Sequence, residues 1–305
     1  MRLLVYLFSF FLFSQEQTAK GFVLDKETDK VIPYVNISIL ETQTGTSSDD
    51  DGSYKLTINS QDLDKKVHIS SLGYKDTTLT VSSFVKLKAV FLNPVAEELD
   101  EVVVSNKFEE EFLRVKPFSK KDLYGGFGMG KKPWQIGLYF PFDSTYLQTA
   151  YINKITILLS KGLGFKRKAS KFRVRLLSIS QDSLPLQDLI KEGIIVTASK
   201  KQKVVEVDIS KYDIDFPENG IFVVLEGLAI PFNEIERTYT MIDVNGEKSK
   251  IKKETGYVPS FKAFLSEPNK FLLVHYGNGK WWKHKLTHPE KNKTFVPAIS
   301  LTLSN

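Results

Sequence analysis

The feature that most limits this fold is a repeated alternation of apolar and polar residues, cut by Gly- and Asp-containing turns. Val35-Asn36-Ile37-Ser38-Ile39 alternates, and Tyr54, Leu56 and Ile58 alternate with Ser53, Lys55 and Thr57. Neighbours in a strand point to opposite faces, so each run predicts a strand with one apolar side. Gly21 to Leu24, Val67 to Ser70, Leu79 with Val81, and Val85 to Phe91 add further strands. Thr44-Gly45-Thr46 breaks one strand. Asp49-Asp50-Asp51-Gly52 predicts a tight turn with Gly52 at positive φ. Six or seven short strands of this kind predict a small β-sandwich.

The alternation returns after residue 120. It marks Lys154 to Leu159, Phe172 to Leu177, Val205 to Ile209 and Ile221 to Glu226, followed by Phe271 to Tyr276 and Val296 to Leu303. One short helix is expected, Leu186 to Lys191 after Pro185. Many strands with almost no helix predict a second two-sheet unit of jelly-roll type. The chain reads as all-β: a β-sandwich at 15–97, an acidic and polar linker at 98–120, and a jelly-roll-like β-sandwich at 121–305.

The first 14 residues have another character. Arg2 precedes the apolar run Leu3 to Phe13, which is too short to span a bilayer and fits a secretory signal at 1–14. The chain has no cysteine, which excludes disulfides, thiolate metal sites and a cysteine-linked lipid anchor. Formal net charge is +6, but the basic residues are interspersed with acids. No concentrated basic face with stacking aromatics suggests nucleic acid. The expectation is an exported protein in the periplasm, associated with the outer membrane or extracellular. It would be peripheral to the membrane at most.

Gly21, Asp25, Pro33, Val35, Gly45-Thr46, Asp51-Gly52-Ser53-Tyr54, Ser71-Leu72-Gly73-Tyr74 and Leu99-Asp100-Glu101-Val102-Val103-Val104 occur in an order that resembles the carboxypeptidase-regulatory-like domain. That family implies a transthyretin-like β-sandwich, an accessory role without peptidase activity, and Bacteroidetes-type envelope proteins, including TonB-dependent receptors. In such receptors a plug and a membrane barrel follow the L-D-E-V-V-V segment. Here about 200 residues follow Ser105, with no plug-like stretch. More loosely, Phe172 to Leu177, Pro185 to Leu189, Val207 to Ile209 and Phe216 to Val223 resemble lectin or carbohydrate-binding jelly rolls.

Trp281-Trp282 is the best candidate binding face. In a strand the two rings would face opposite ways, leaving one exposed beside Tyr276 and Asn278 for a sugar; alternatively both pack in loops over the core. Lys161, Lys166, Arg167, Lys168 and Lys171 read as a basic hairpin tip, either solvated or, through Lys166, Arg167 and Lys168, in contact with an anionic surface. Gly125 to Lys132 resembles a phosphate loop but has Lys132 in place of the hydroxyl and Pro133 against the following helix; a flexible connector is expected. His284 and His288 would lie about 13 Å apart in a strand, too far to share an ion. The Asp49–Asp51 run is a turn before it is a calcium site. His68 and His275 read as structural. No G-x-S-x-G or H-E-x-x-H occurs, and no cofactor or metal is expected. The expected function is non-enzymatic binding of an envelope protein or glycan. The alternatives are a scaffold without a small ligand, or a hydrolase with an unrecognised carboxylate pair among 36 acidic residues.

Overall fold

A computed structural model describes residues 16–95, 109–160, 168–242, 248–288 and 291–305. The expected signal at 1–14 and most of the expected linker lie outside these residues. Among the described residues the molecule is almost entirely β, and no helix is long and apolar enough to cross a membrane.

The first unit is a β-sandwich of one three-stranded and one four-stranded sheet. In the three-stranded sheet, Glu16–Asp25 lies between Ser53–Asn59 and Ala89–Leu92, antiparallel to the former and parallel to the latter. The other sheet runs Gly45–Ser47, Asn36–Ile39, Lys66–Ser70, Thr77–Thr80. The alternation places Val35, Ile37, Ile39, Tyr54, Leu56, Ile58, Val67 and Ile69 in one core. Gly52 turns at φ +75°, where a side chain would be strained. The expected strand through Val81 and Val85 is instead a short helix, Val81–Phe84. Thr80 caps it, its hydroxyl accepting from the Ser83 N–H, and so offers the backbone an alternative to the ladder.

The second unit has a seven-stranded and a nine-stranded sheet among the described residues. One core fills the space between them, from Ile136, Leu138, Phe172, Val174, Val223 and Leu225 on one side to Ile155, Ile157, Phe261, Phe264, Leu301 and Leu303 on the other. Two expectations are corrected. Pro185–Asp188 is a strand, not a helix, held by the Arg175 guanidinium on the Asp188 carboxylate. Gly125–Met129 is not a loose connector but part of the strand Leu123–Met129, paired with the long strand Lys248–Ser266. A Cβ at Gly126 would lie 2.7 Å from the Phe261 carbonyl oxygen, so the close pairing requires glycine.

The run Ile221–Gly227 is buried along its whole length. Its inward side chains join the main core. On the outer face, Phe222 and Val224 join Leu177 and Val274 in a small second core. Glu226, also on that face, meets the first unit.

Candidate functional site

The two units meet sheet against sheet, and the contact is polar. In the first unit, the alternation that sends Ile37 and Ile69 into the core sends Asn36, Ser38, His68 and Ser70 to the outer face. Asn36 and His68 are nevertheless buried, because the outer face of the seven-stranded sheet covers them. Glu226 is 0% exposed. One carboxylate oxygen accepts from Asn36 Nδ2 at 2.7 Å and from Arg173 at 2.9 Å. Arg173 also donates to the Tyr34 carbonyl at 3.0 Å. Ser47 and Ala229 exchange bonds across the same seam, Ser47 N–H to Ala229 O at 3.1 Å and Ala229 N–H to Ser47 Oγ at 3.0 Å. A buried carboxylate is tolerated only when paired and hydrogen-bonded, and here the two units supply the partners jointly.

Two of the spaces that flank this seam are lined by the candidate residues. One is a polar cavity of about 150 Å³ lined by Asn36, Asp76, Arg173, Arg175, Tyr276 and Trp281, among others. Its charged groups are engaged: Glu226 with Arg173, Arg175 with Asp188, and Asp76 with His68 at 3.3 Å. The other is an aromatic groove of about 420 Å³ at the open end of the second sandwich. Trp134, His275, Trp282, His284 and Phe127 line it, with Gly126, Gly128 and Gly130, and the first unit adds Gln43.

The strand Lys280–Lys283 pairs with Leu273–Gly277, setting Trp282 opposite His275 and Trp281 opposite Tyr276. The two tryptophans point to opposite faces, and both are half-buried. Trp282 lies over His275, centroids 5.7 Å apart and planes at 36°, and faces the groove. Trp281 packs on Tyr276 at 5.0 Å, toward the polar cavity. The Tyr276 hydroxyl is 3.0 Å from His68 Nε2, so it belongs to the seam. Burial pushes its pKa up. Asn278 turns at φ 49° and accepts from Lys132 Nζ at 3.1 Å. Of the four expected residues, Trp282, Asn278 and Tyr276 line the groove, Tyr276 also lines the polar cavity, and Trp281 serves the other face.

Sequence reasoning missed Trp134, and read His275 as structural, His284 as a rejected metal ligand and Lys132 as part of a connector. His275 and His284 meet at 5.8 Å between centroids. Burial is the main cause that lowers both pKa values, His275 to about 4, so both rings are neutral at pH 7. His284 Nε2 is buried without a hydrogen-bond partner. His288 does not join them; it packs on Tyr124 and Phe295. Lys132 donates to the Thr42 carbonyl at 2.7 Å, and burial lowers its pKa. For Lys132 and Trp134 the signal was the segment Lys132-Pro133-Trp134 closely following the glycine-rich run Gly125 to Gly130.

The basic hairpin is only partly described. Lys161, Lys166 and Arg167 lie outside the described residues. Lys168 donates to the Glu234 carbonyl at 3.1 Å, and Lys171 reaches the Tyr34 hydroxyl at 3.2 Å and Asp50 at 3.6 Å. Lys171 therefore ties the triple-aspartate turn to the second unit rather than projecting into solvent.

Residues 19–104 match the family model of the CarboxypepD_reg-like domain. The first unit is a CarboxypepD_reg-like domain. Over 92 residues the chain is 36% identical to the TonB-dependent receptor SusC of Bacteroides thetaiotaomicron, a stretch that is 30% of this chain and 8% of the receptor. The chain thus spans a small part of that relative's length. In this protein the CarboxypepD_reg-like domain contributes Asn36, His68 and Asp76 to the seam, Gln43 to the lining of the groove, and the Thr42 carbonyl as an acceptor for Lys132.

Proposed function

We propose that this is an exported, non-enzymatic accessory protein of the cell envelope that binds a saccharide in the groove headed by Trp282. The observation that carries the reading is the half-buried Trp282 ring, backed by His275 and opening into a groove at the junction of the units. A flat aromatic ring with a few fixed polar groups suits a sugar: the ring covers the apolar C–H face, and the Asn278 amide offers a hydrogen bond to hydroxyls. The CarboxypepD_reg-like domain and its likeness to a receptor's segment support the envelope setting. Among the described residues no Asp or Glu lines the groove, which weighs against a glycosidase there, since that chemistry takes two carboxylates. The test is retention on immobilised envelope saccharide. Trp282→Ala is expected to abolish it and Trp281→Ala to leave it largely intact. Equal retention of wild type and Trp282→Ala would reject the reading.

One observation favours a second, protein-binding role. On the outer face of the three-stranded sheet Phe22 and Phe91 are 47% and 46% exposed, with Val31 beside them at 46%. Apolar neighbours left together on a surface mark a contact site. A soluble variant with Phe22→Lys and Phe91→Lys should lose co-purifying envelope proteins while keeping saccharide retention.

A further inference from the structure

The charge around the groove is one-sided. Its lining includes Lys132 and two neutral histidines but no carboxylate. Lys132 is half-buried. Its ammonium has three donors, and two are taken, by the Thr42 carbonyl and the Asn278 side-chain oxygen. Both acceptors are uncharged. Lys280 adds a second cation: it shares a strand face with Trp282 and lies 5.8 Å from that ring's centroid. Elsewhere the molecule neutralises its buried cations. Arg173 has Glu226 and Arg175 has Asp188. At the groove, among the described residues, no carboxylate pairs with the half-buried Lys132 ammonium.

We infer that the groove selects an anionic saccharide, one whose ring stacks on Trp282 while its carboxylate or phosphate meets Lys132. The inference rests on the saccharide reading above and adds the class of sugar. Stacking on Trp282 supplies affinity for any sugar with an apolar face. The charge-assisted hydrogen bond from Lys132 separates acidic sugars from neutral ones. Neutral His275 and His284 complement this arrangement, since they line the groove without adding charge of their own at pH 7.

The test uses the intact chain on an array of paired probes: glucuronate and galacturonate oligomers, their carboxyl-reduced neutral counterparts, and phosphorylated hexose oligomers, with titration calorimetry on the strongest pair. The acidic member of a pair should bind about 10- to 100-fold more tightly than its neutral partner. Lys132→Gln should erase that difference, and Lys132→Arg should keep most of it. The carboxylate and phosphate probes separate the two sources of anion. Equal binding of acidic and neutral partners by wild type, or a preference that survives Lys132→Gln, would overturn the inference and leave the saccharide reading standing. Failure of every probe to bind in a Trp282-dependent way would overturn both.

Discussion

Arg173→Met is the sharpest perturbation of the seam. It leaves the Glu226 carboxylate, 0% exposed, with Asn36 as its remaining partner on the bonded oxygen; the other oxygen already has none. Removing one partner of a buried ion pair costs about 3–5 kcal/mol. For a chain of this size each kcal/mol lowers the melting temperature by about 2–4 °C, so the fall should be about 6–20 °C. Adding Glu226→Gln removes the stranded charge and keeps an acceptor for Asn36 Nδ2. The double variant should recover to within about 1–2 kcal/mol of wild type. Chemical denaturation of the wild type, both single variants and the double variant measures the coupling. A loss below about 1 kcal/mol for Arg173→Met, or a double variant no more stable than Arg173→Met alone, would refute this account of the seam.

Other outcomes follow from the same contacts. Unfolded, His275 takes up a proton near 6.5; folded, it stays neutral down to about 4. Its contribution to stability is complete above pH 6.5 and lost as the pH falls from 6.5 to 4, by no more than about 3 kcal/mol. Denaturation midpoints at pH 7.5 and 4.5 should therefore differ less in His275→Phe than in wild type. Gly45→Val should destabilise the junction by about 1–3 kcal/mol, because a Cβ there would meet Lys132 Cβ at 2.7 Å and the Ile37 carbonyl at 2.8 Å; protease accessibility between the units would report it.

Strand faces were legible because alternation states which side is apolar. It does not state what covers the polar side. Alternation puts Asn36, Ser38 and His68 on the polar side, yet Arg173, Glu226 and Tyr276 lie against that face, and the partners are separated by 190 and 208 residues for Asn36–Glu226 and His68–Tyr276. A hint was present in Phe172 to Leu177 and Ile221 to Gly227, where charged residues interrupt apolar runs too rich to border water. Local propensity misled at Leu186–Lys191, where the Arg175–Asp188 contact fixes a strand, and at Gly125–Met129, where pairing with a 19-residue strand overrides glycine's preference for turns. Trp281-Trp282 was legible as a two-faced pair, but which face opens on a groove depends on His275, His284 and Lys132, brought in from other strands and turns.

The chain has three tryptophans, so its indole N–H resonances, assigned by Trp→Phe substitution, report directly on where a sugar sits. Titrating an oligosaccharide chosen from the array should shift the Trp282 resonance in a saturable way and leave that of Trp281 in place. Movement of Trp281 with Trp282 unchanged, or no saturable shift at any of the three, would contradict the groove as the binding site.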